Sequence, residues 1–256
     1  MTSVPSHQEL QKIVELIRTI IFPEYYPAAV RPEPLLKALL QIQISTVIEN
    51  TDSVNLIVEE FCNSLPEIKR LIETDVQAAM MNDPAVKSMA EVIYCYPLIK
   101  EMLHYRPAHC LYQLEVPLIP RMLTEMAHSE TGIDINPAAR IGEYFCIDHG
   151  TGVVVGETCI IGSHVVLYQG VTLGAKNFQY DEVGRPMNVP RHPIIEDNVT
   201  IYSNTTVLGR ITIGHDTVIG GNIWLTHAVP AHSRVLQQKA TSYTLKVGFV
   251  DDEYYI

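Results

Sequence analysis

Two rhythms of apolar residues divide the chain. Up to about residue 131, Ile, Leu and Val recur at the mixed three- and four-residue steps that give a helix one apolar face. Leu10, Ile13, Val14, Ile17, Ile20 and Ile21 form the first such stripe, and Ser6 with Glu9 just ahead of it has the S-x-x-E form of a capping box. Ser64, Pro66 and Glu67 predict a second helix start, ahead of Ile68, Leu71, Ile72, Val76 and Ala79. Asp83-Pro84 predicts a third. These stripes are expected to pack against one another.

From residue 132 the rhythm changes to a step of six. Ile135, Ile141 and Ile147 are followed, after a phase break, by Val155, Ile161, Leu167 and Leu173, and after a second break by Ile195, Ile201, Val207, Ile213, Ile219 and Leu225. Every position in the register is Ile, Leu or Val. A period of six fits neither a helix face nor a strand of an ordinary half-buried sheet; it fits a short strand plus a turn, repeated around a solenoid whose stacked coils bury the aliphatic residues in ladders. Glycine marks the same boundary, since all 14 glycines lie at or after Gly132. Helices disfavour Gly, whereas repeated tight turns use it. The expected organisation is α+β: an α-helical domain over 1–131, a solenoid over 132–235 with an inserted loop at 175–190, and a tail over 236–256.

Composition narrows the function. Hydrophobic residues make up 47% and charged residues 18%, a balance suited to a folded protein. The formal charge of −11 repels phosphate backbones, so nucleic acid is not an expected partner and an anionic substrate needs a local basic pocket. The N-terminus has no basic stretch leading into an apolar core, and no apolar run approaches the ~18 residues of a membrane span. No membrane association is expected, and the location expected is cytoplasmic. Cys62, Cys95, Cys110, Cys146 and Cys159 are odd in number and lack CxxC spacing, which points to reduced thiols.

The first phase break holds Asp148-His149-Gly150-Thr151-Gly152, with two residues more than the period requires. Asp134 precedes His149 by 15 positions, a little under one coil, so a carboxylate and an imidazole could meet there. Such a pair suits proton removal from a hydroxyl: the imidazole takes the proton and the carboxylate holds its other ring nitrogen.

The six-residue pattern resembles that of the hexapeptide-repeat proteins, which implies a left-handed parallel β-helix; the hand comes from the resemblance alone. Most members are acyltransferases that act as trimers, with sites between adjacent subunits. Asp134–Gly142, Asp148–Thr158, Gln169–Gly174 and the run from Arg191-His192-Pro193 to Ile219-Gly220 are similar, within this group, to the serine acetyltransferases. So are Asp83-Pro84-Ala85 and Tyr105-Arg106 with His109 in the helical half, and the resemblance spans roughly 75–235. It implies transfer of acetyl from acetyl-CoA to the hydroxyl of L-serine, the first step of cysteine biosynthesis from serine.

By the same resemblance His149 is the general base and Asp134 the carboxylate that orients it. Asp83 and Asp148 hold the ammonium group of serine, Arg191 its carboxylate, and His192 lines that pocket. Ala175, Ser203 and Gly221 match positions along the acetyl-CoA groove. Departures are Val218 where the family often has Lys, the long loop 175–190, and Asn136 in place of a frequent His. A homotrimer or dimer of trimers is implied, with L-cysteine as a serine-like inhibitor. Ile256 matches the final residue that family members insert into O-acetylserine sulfhydrylase, although Tyr254-Tyr255 replaces the usual Asp-Gly. No metal is expected. A rival reading is a zinc carbonic anhydrase, since His227 and His232 have H-x4-H spacing and His164 lies in the same wall.

Overall fold

The computed structural model describes residues 4–238, so Ile256 lies outside the described residues. Helix α1 (His7–Ile21) begins as its capping pattern predicts, with the Glu9 N–H donating to the Ser6 hydroxyl at 3.4 Å. It buries Leu10, Ile13, Val14, Ile17 and Ile21, and α2 (Glu33–Ile44) packs on it with Leu36, Leu40 and Ile44.

Helix α3 (Thr51–Asn82) corrects two of the expected helix starts. The Ser64 hydroxyl donates backward to the Glu60 carbonyl at 2.9 Å, and Pro66 lies inside the helix. Val54, Val58, Phe61, Leu65, Ile68, Ile72 and Val76 stay in phase across the proline. Burial of that continuous face outweighs the backbone bond that Pro66 removes. Asp83 caps the end of α3 instead of opening the next helix, and its Oδ1 accepts the Ala85 N–H at 2.7 Å in a tight turn. Ser88 then caps α4 (Met89–Cys95).

Helix α5 (Pro97–Gln113) is buried on most sides because α3, α6 (Ile119–Thr131) and the solenoid all pack against it. α6 stops at Gly132, whose φ of 72° is a left-handed conformation that glycine adopts without strain. Among the described residues no helix is long and apolar enough to cross a membrane.

The solenoid consists of three parallel sheets of five, four and five short strands. The first sheet stacks Asp134–Ile135, Val154–Val155, Thr172–Gly174, Thr206–Leu208 and Trp224–Leu225. The second stacks Arg140–Ile141, Ile160–Ile161, Ile194–Ile195 and Thr212–Ile213. The third stacks Cys146–Asp148, Val166–Tyr168, Thr200–Ile201, Val218–Ile219 and Arg234–Val235. Every aliphatic residue of the six-residue register is buried, and the strand register places them on one another, as in Ile135↔Val155↔Leu173↔Val207↔Leu225.

The first coil has no coil before it, and α5 supplies what is missing. In the second coil the carbonyls of Cys159 and Ile161 accept N–H groups of Arg140 and Gly142 from the first, at 3.0 and 2.9 Å. The equivalent carbonyls of the first coil, Ala139 and Ile141, accept instead from the Tyr105 hydroxyl and Arg106 Nη1, both at 2.6 Å. Arg106 Nη2 also reaches the Gly142 carbonyl at 2.7 Å, and His109 Nδ1 lies 2.8 Å from the Pro137 carbonyl. Asp75 on α3 accepts both Nε and Nη2 of Arg106, at 3.1 and 3.0 Å, and also the Phe145 N–H at 3.1 Å. The Tyr105-Arg106 stretch and His109 thus join the two halves.

Candidate active site

The three sheets meet at three corners, and the residues singled out from the sequence fall on two of them. The corner between the third and first sheets carries His149, directly after the strand that ends at Asp148. His149 has φ 59° and a side chain 71% exposed, so its ring is free to turn; its Nε2 lies 3.7 Å from Asp148 Oδ2. Asp83 and Asp148 line one small cleft with Ala79, Asn82, Tyr96 and Cys146. The Tyr96 hydroxyl donates to Asp83 Oδ2 at 2.5 Å. That bond, with the Ala85 N–H and then the nearby His149 and Lys87, holds the Asp83 carboxyl below the usual carboxylate range. Two carboxylates in one cleft, with the His149 imidazole 3.7 Å from one of them, suit an ammonium group beside a hydroxyl that must lose its proton.

Asp134 does not contact His149 within ion-pair distance in the single chain. Its carboxylate lies 3.7 Å from Arg121 Nη1 and shares a cluster with Glu125 and His128.

The corner between the first and second sheets carries Arg191 and His192, and a short run on the coil below builds their setting. Glu157 Oε2 accepts from Arg191 Nη2 at 2.5 Å, and Asn188 Oδ1 accepts from Nη1 at 3.1 Å. The Thr158 hydroxyl accepts the N–H groups of Arg191 and His192, at 2.9 and 3.0 Å. His192 Nδ1 accepts the Thr158 N–H at 3.1 Å, which leaves the ring proton on Nε2. His192 is buried, and burial with the neighbouring Arg191 charge pushes its pKa down to about 4. It is therefore a neutral hydrogen-bond donor near neutral pH. Gly156 makes room for the ring, since a Cβ there would lie 2.0 Å from His192 Cδ2.

Of the positions matched to the acetyl-CoA groove, Ser203 and Gly221 stack on successive coils above His149's corner; a Cβ on Gly221 would sit 3.1 Å from the Ser203 carbonyl oxygen. Ala175 directly follows the first sheet's strand and belongs to the Arg191 corner. Sequence reasoning missed Tyr96, Glu157 and Thr158 as functional neighbours. Tyr96 carries no motif, but Glu157-Thr158 stands inside the matched run and could have been read as the support for Arg191-His192. His164, His227 and His232 are not brought together: His164 stacks on Tyr144, whereas His232 lies beside His215 and Asp216.

No family model matches the chain. It is 53% identical over 193 residues to a plasmid serine acetyltransferase of Synechococcus elongatus, covering 75% of this chain but only 60% of that relative's length. The serine acetyltransferase isoform 3 of Entamoeba histolytica, solved in complex with cysteine, superposes with a TM-score of 0.83 at 36% identity, over 92% of this chain and 84% of that one. A serine acetyltransferase solved in complex with CoA superposes with a TM-score of 0.61 at 26% identity, over 88% and 95% of the two chains. On this identity, across most of a solved relative and with the same helical half and solenoid, the chain belongs to the serine acetyltransferase family.

Proposed function

We propose that this chain transfers the acetyl group of acetyl-CoA to the hydroxyl of L-serine, giving O-acetyl-L-serine and CoA, at sites formed between adjacent copies of itself. One observation carries the reading: the groups that suit serine's ammonium and hydroxyl stand at one corner of the solenoid, and the group that suits its carboxylate stands at another. One small zwitterion needs both sets at once. A second copy that presents its Arg191 corner to the His149 corner of the first completes the set, and a closed ring of three does this at every interface.

In this reading Asp83 and Asp148 hold the ammonium, Arg191 takes the carboxylate through two parallel N–H bonds, and neutral His192 donates its Nε2 proton within the same pocket. His149 takes the hydroxyl proton as the serine oxygen attacks the thioester carbonyl. The tetrahedral intermediate collapses with loss of the CoA thiolate, which receives the proton back from the imidazolium. No acyl-enzyme forms. The exposed His149 ring turns toward Asp134, which holds its second nitrogen. Acetyl-CoA lies along the groove past Ser203 and Gly221 of one copy and Ala175 of the next. L-cysteine, with serine's charges and a thiol for the hydroxyl, competes for the same pocket. The unpaired cysteines suit a cytoplasmic setting. O-acetylserine sulfhydrylase is the expected partner of the segment ending in Ile256, and competition by a peptide of residues 247–256 tests it.

Mixing tests the shared site. His149→Ala and Arg191→Ala chains should each be nearly inactive. Unfolded together and refolded at equal amounts, they should regain about a quarter of parent activity, because one interface in four joins an intact His149 to an intact Arg191 in a random ring. No recovery would place the whole site within one chain. Trp224, the single tryptophan, gives a second reading: its side chain stands 71% exposed on the first sheet's outer face, between the two corners. Its emission should shift to shorter wavelength as the copies assemble.

A further inference from the structure

The corner between the second and third sheets carries neither half of the proposed catalytic site. It repeats one backbone position up the solenoid: Tyr144, His164, Asn198, Asp216 and His232 all have φ between 54° and 58°. Asn and Asp accept that left-handed conformation readily, and larger side chains adopt it less often. Side chains of this column interact below and above the step from His164 to Asn198. Tyr144 stacks on His164 with ring centroids 4.4 Å apart, and Asn198 Nδ2 donates to Asp216 Oδ1 at 3.1 Å.

Three ligand-type atoms converge at the far end of the column. His215 Nδ1 lies 2.7 Å and His232 Nδ1 3.6 Å from the same oxygen, Asp216 Oδ2, and the three atoms lie within 4.8 Å of one another. The backbone sets this convergence, because the His232 N–H donates to the His215 carbonyl at 2.9 Å and stacks the two residues on successive coils. Their rings meet edge to face, with centroids 4.8 Å apart. Asn198 occupies Asp216 Oδ1 and leaves Oδ2 for a single bond. Glu196, whose Oε2 accepts the His215 N–H at 2.9 Å, and Asp197 add negative charge beside the cluster.

We propose that His215, Asp216 and His232 bind one divalent transition-metal ion, zinc in the first instance, which clasps the last two coils together. Two imidazole nitrogens and one carboxylate oxygen are a donor set for zinc and its neighbours in the series, and a poor one for magnesium or calcium, which take oxygen ligands. Metal bonds of about 2.0–2.2 Å place ligand atoms roughly 3–3.5 Å apart, and the separations of 2.7 and 3.6 Å bracket that spacing. Small side-chain rotations complete the geometry, and water fills the remaining position. All three residues are exposed, so the ion enters directly from solvent.

The test uses the full chain without an affinity tag, freed of metal by a chelator. Calorimetric titration with zinc chloride should give one ion per chain, and cobalt should give the visible absorption of a low-coordinate site. His215→Ala and His232→Asn, the second of which keeps a residue suited to positive φ, should each weaken zinc binding at least tenfold. Zinc should raise the melting temperature of the parent chain and not of the variants. Acetyl transfer should be the same with and without zinc. Unchanged affinity in both variants, or no zinc binding by the parent chain, would overturn the site; acetyl transfer lost with the metal would overturn its structural role.

Discussion

In the helical half, Asp75, Glu101, His104 and Arg106 are buried side by side with the apolar core; in the described solenoid, apart from the thiols of Cys146 and Cys159, His192 is the buried side chain that titrates. The difference follows from how each half fixes its geometry. Coils are registered by backbone bonds, repeated at every strand, and the side chains between them need only be aliphatic. Helices touch through ridges that tolerate sliding and rotation, so directional bonds such as Arg106 to Asp75 and to the Ile141 carbonyl select one docking pose. The solenoid is thereby free to spend its corner residues on chemistry, while the helical half spends polar residues on docking.

The sharpest test of that division is His149→Ala. It should lower turnover by about 10²–10⁴, the usual cost of a lost general base, with no change in urea midpoint, because an exposed corner side chain bears little on stability. A large fall in midpoint would erase the contrast. Arg106→Met should do the opposite, destabilising the fold by about 3–5 kcal/mol because Asp75 is left buried without its ion-pair partner. Asp75→Asn added to it should recover part of the loss, and urea unfolding of the three variants measures this.

Gly156→Ala tests whether the solenoid's glycines serve function as well as turns. The added Cβ meets the His192 ring, which must leave its pocket, so serine KM should rise while stability falls by about 1–3 kcal/mol. Unchanged KM would show that His192 does not line the serine pocket.

The smallest effect concerns Glu101. The Thr131 hydroxyl has one proton for two acceptors, the Ala127 carbonyl at 2.8 Å and Glu101 Oε2 at 3.0 Å, while it accepts the Ile133 N–H at 3.0 Å. A protonated Glu101 resolves the conflict by donating to Thr131. Burial, offset in part by the Thr131 bond and reinforced by Asp134, pushes its pKa up to about 8. A raised folded-state pKa means that the folded chain holds a proton the unfolded chain has lost. Its stabilising share is complete below the unfolded value of about 4.3 and is lost as pH rises toward 8, at up to about 1.4 kcal/mol per pH unit. Asp75, raised by burial against the pull of Arg106, acts in the same direction. Glu101→Gln should flatten the pH dependence of the melting temperature between pH 5 and 8, and an unchanged slope would show that Glu101 stays ionised.

Much of the solenoid was legible because its rule is local. One aliphatic residue every sixth position is a pattern any window reveals, and each member of that ladder is buried. The corner assignments were legible in principle too, since counting around a coil separates His149 from Arg191. The hand of the coil came from resemblance, not periodicity. Helix boundaries were less legible: Pro66 carries a start signal that the long face of α3 overrides, and Asp83-Pro84 carries one where the chain turns before Ser88 caps the next helix. The docking bonds had no local signal, as Asp75 and Arg106 stand 31 residues apart and Tyr105 reaches a carbonyl 34 residues away. Tyr96 on Asp83 was hidden for the same reason. The meeting of Asp134 with His149 rested on spacing, which does not fix where the Asp134 side chain turns; in the single chain it lies 3.7 Å from Arg121.

The way α5 completes the first coil also bears on the order in which the chain folds. A coil forms readily only where a neighbour already offers its backbone groups, and for the first coil that neighbour is a pair of side chains, Tyr105 and Arg106, on a formed helix. Assembly therefore has a preferred starting end, and each later coil is templated by the one before it, about 18 to 20 residues away along the chain and 34 where the 175–190 loop intervenes. Loss of structure should run the other way. Amide hydrogen exchange should be slowest around Arg140–Gly142 and quicken coil by coil toward Val235, and Arg106→Met should slow refolding more than it speeds unfolding.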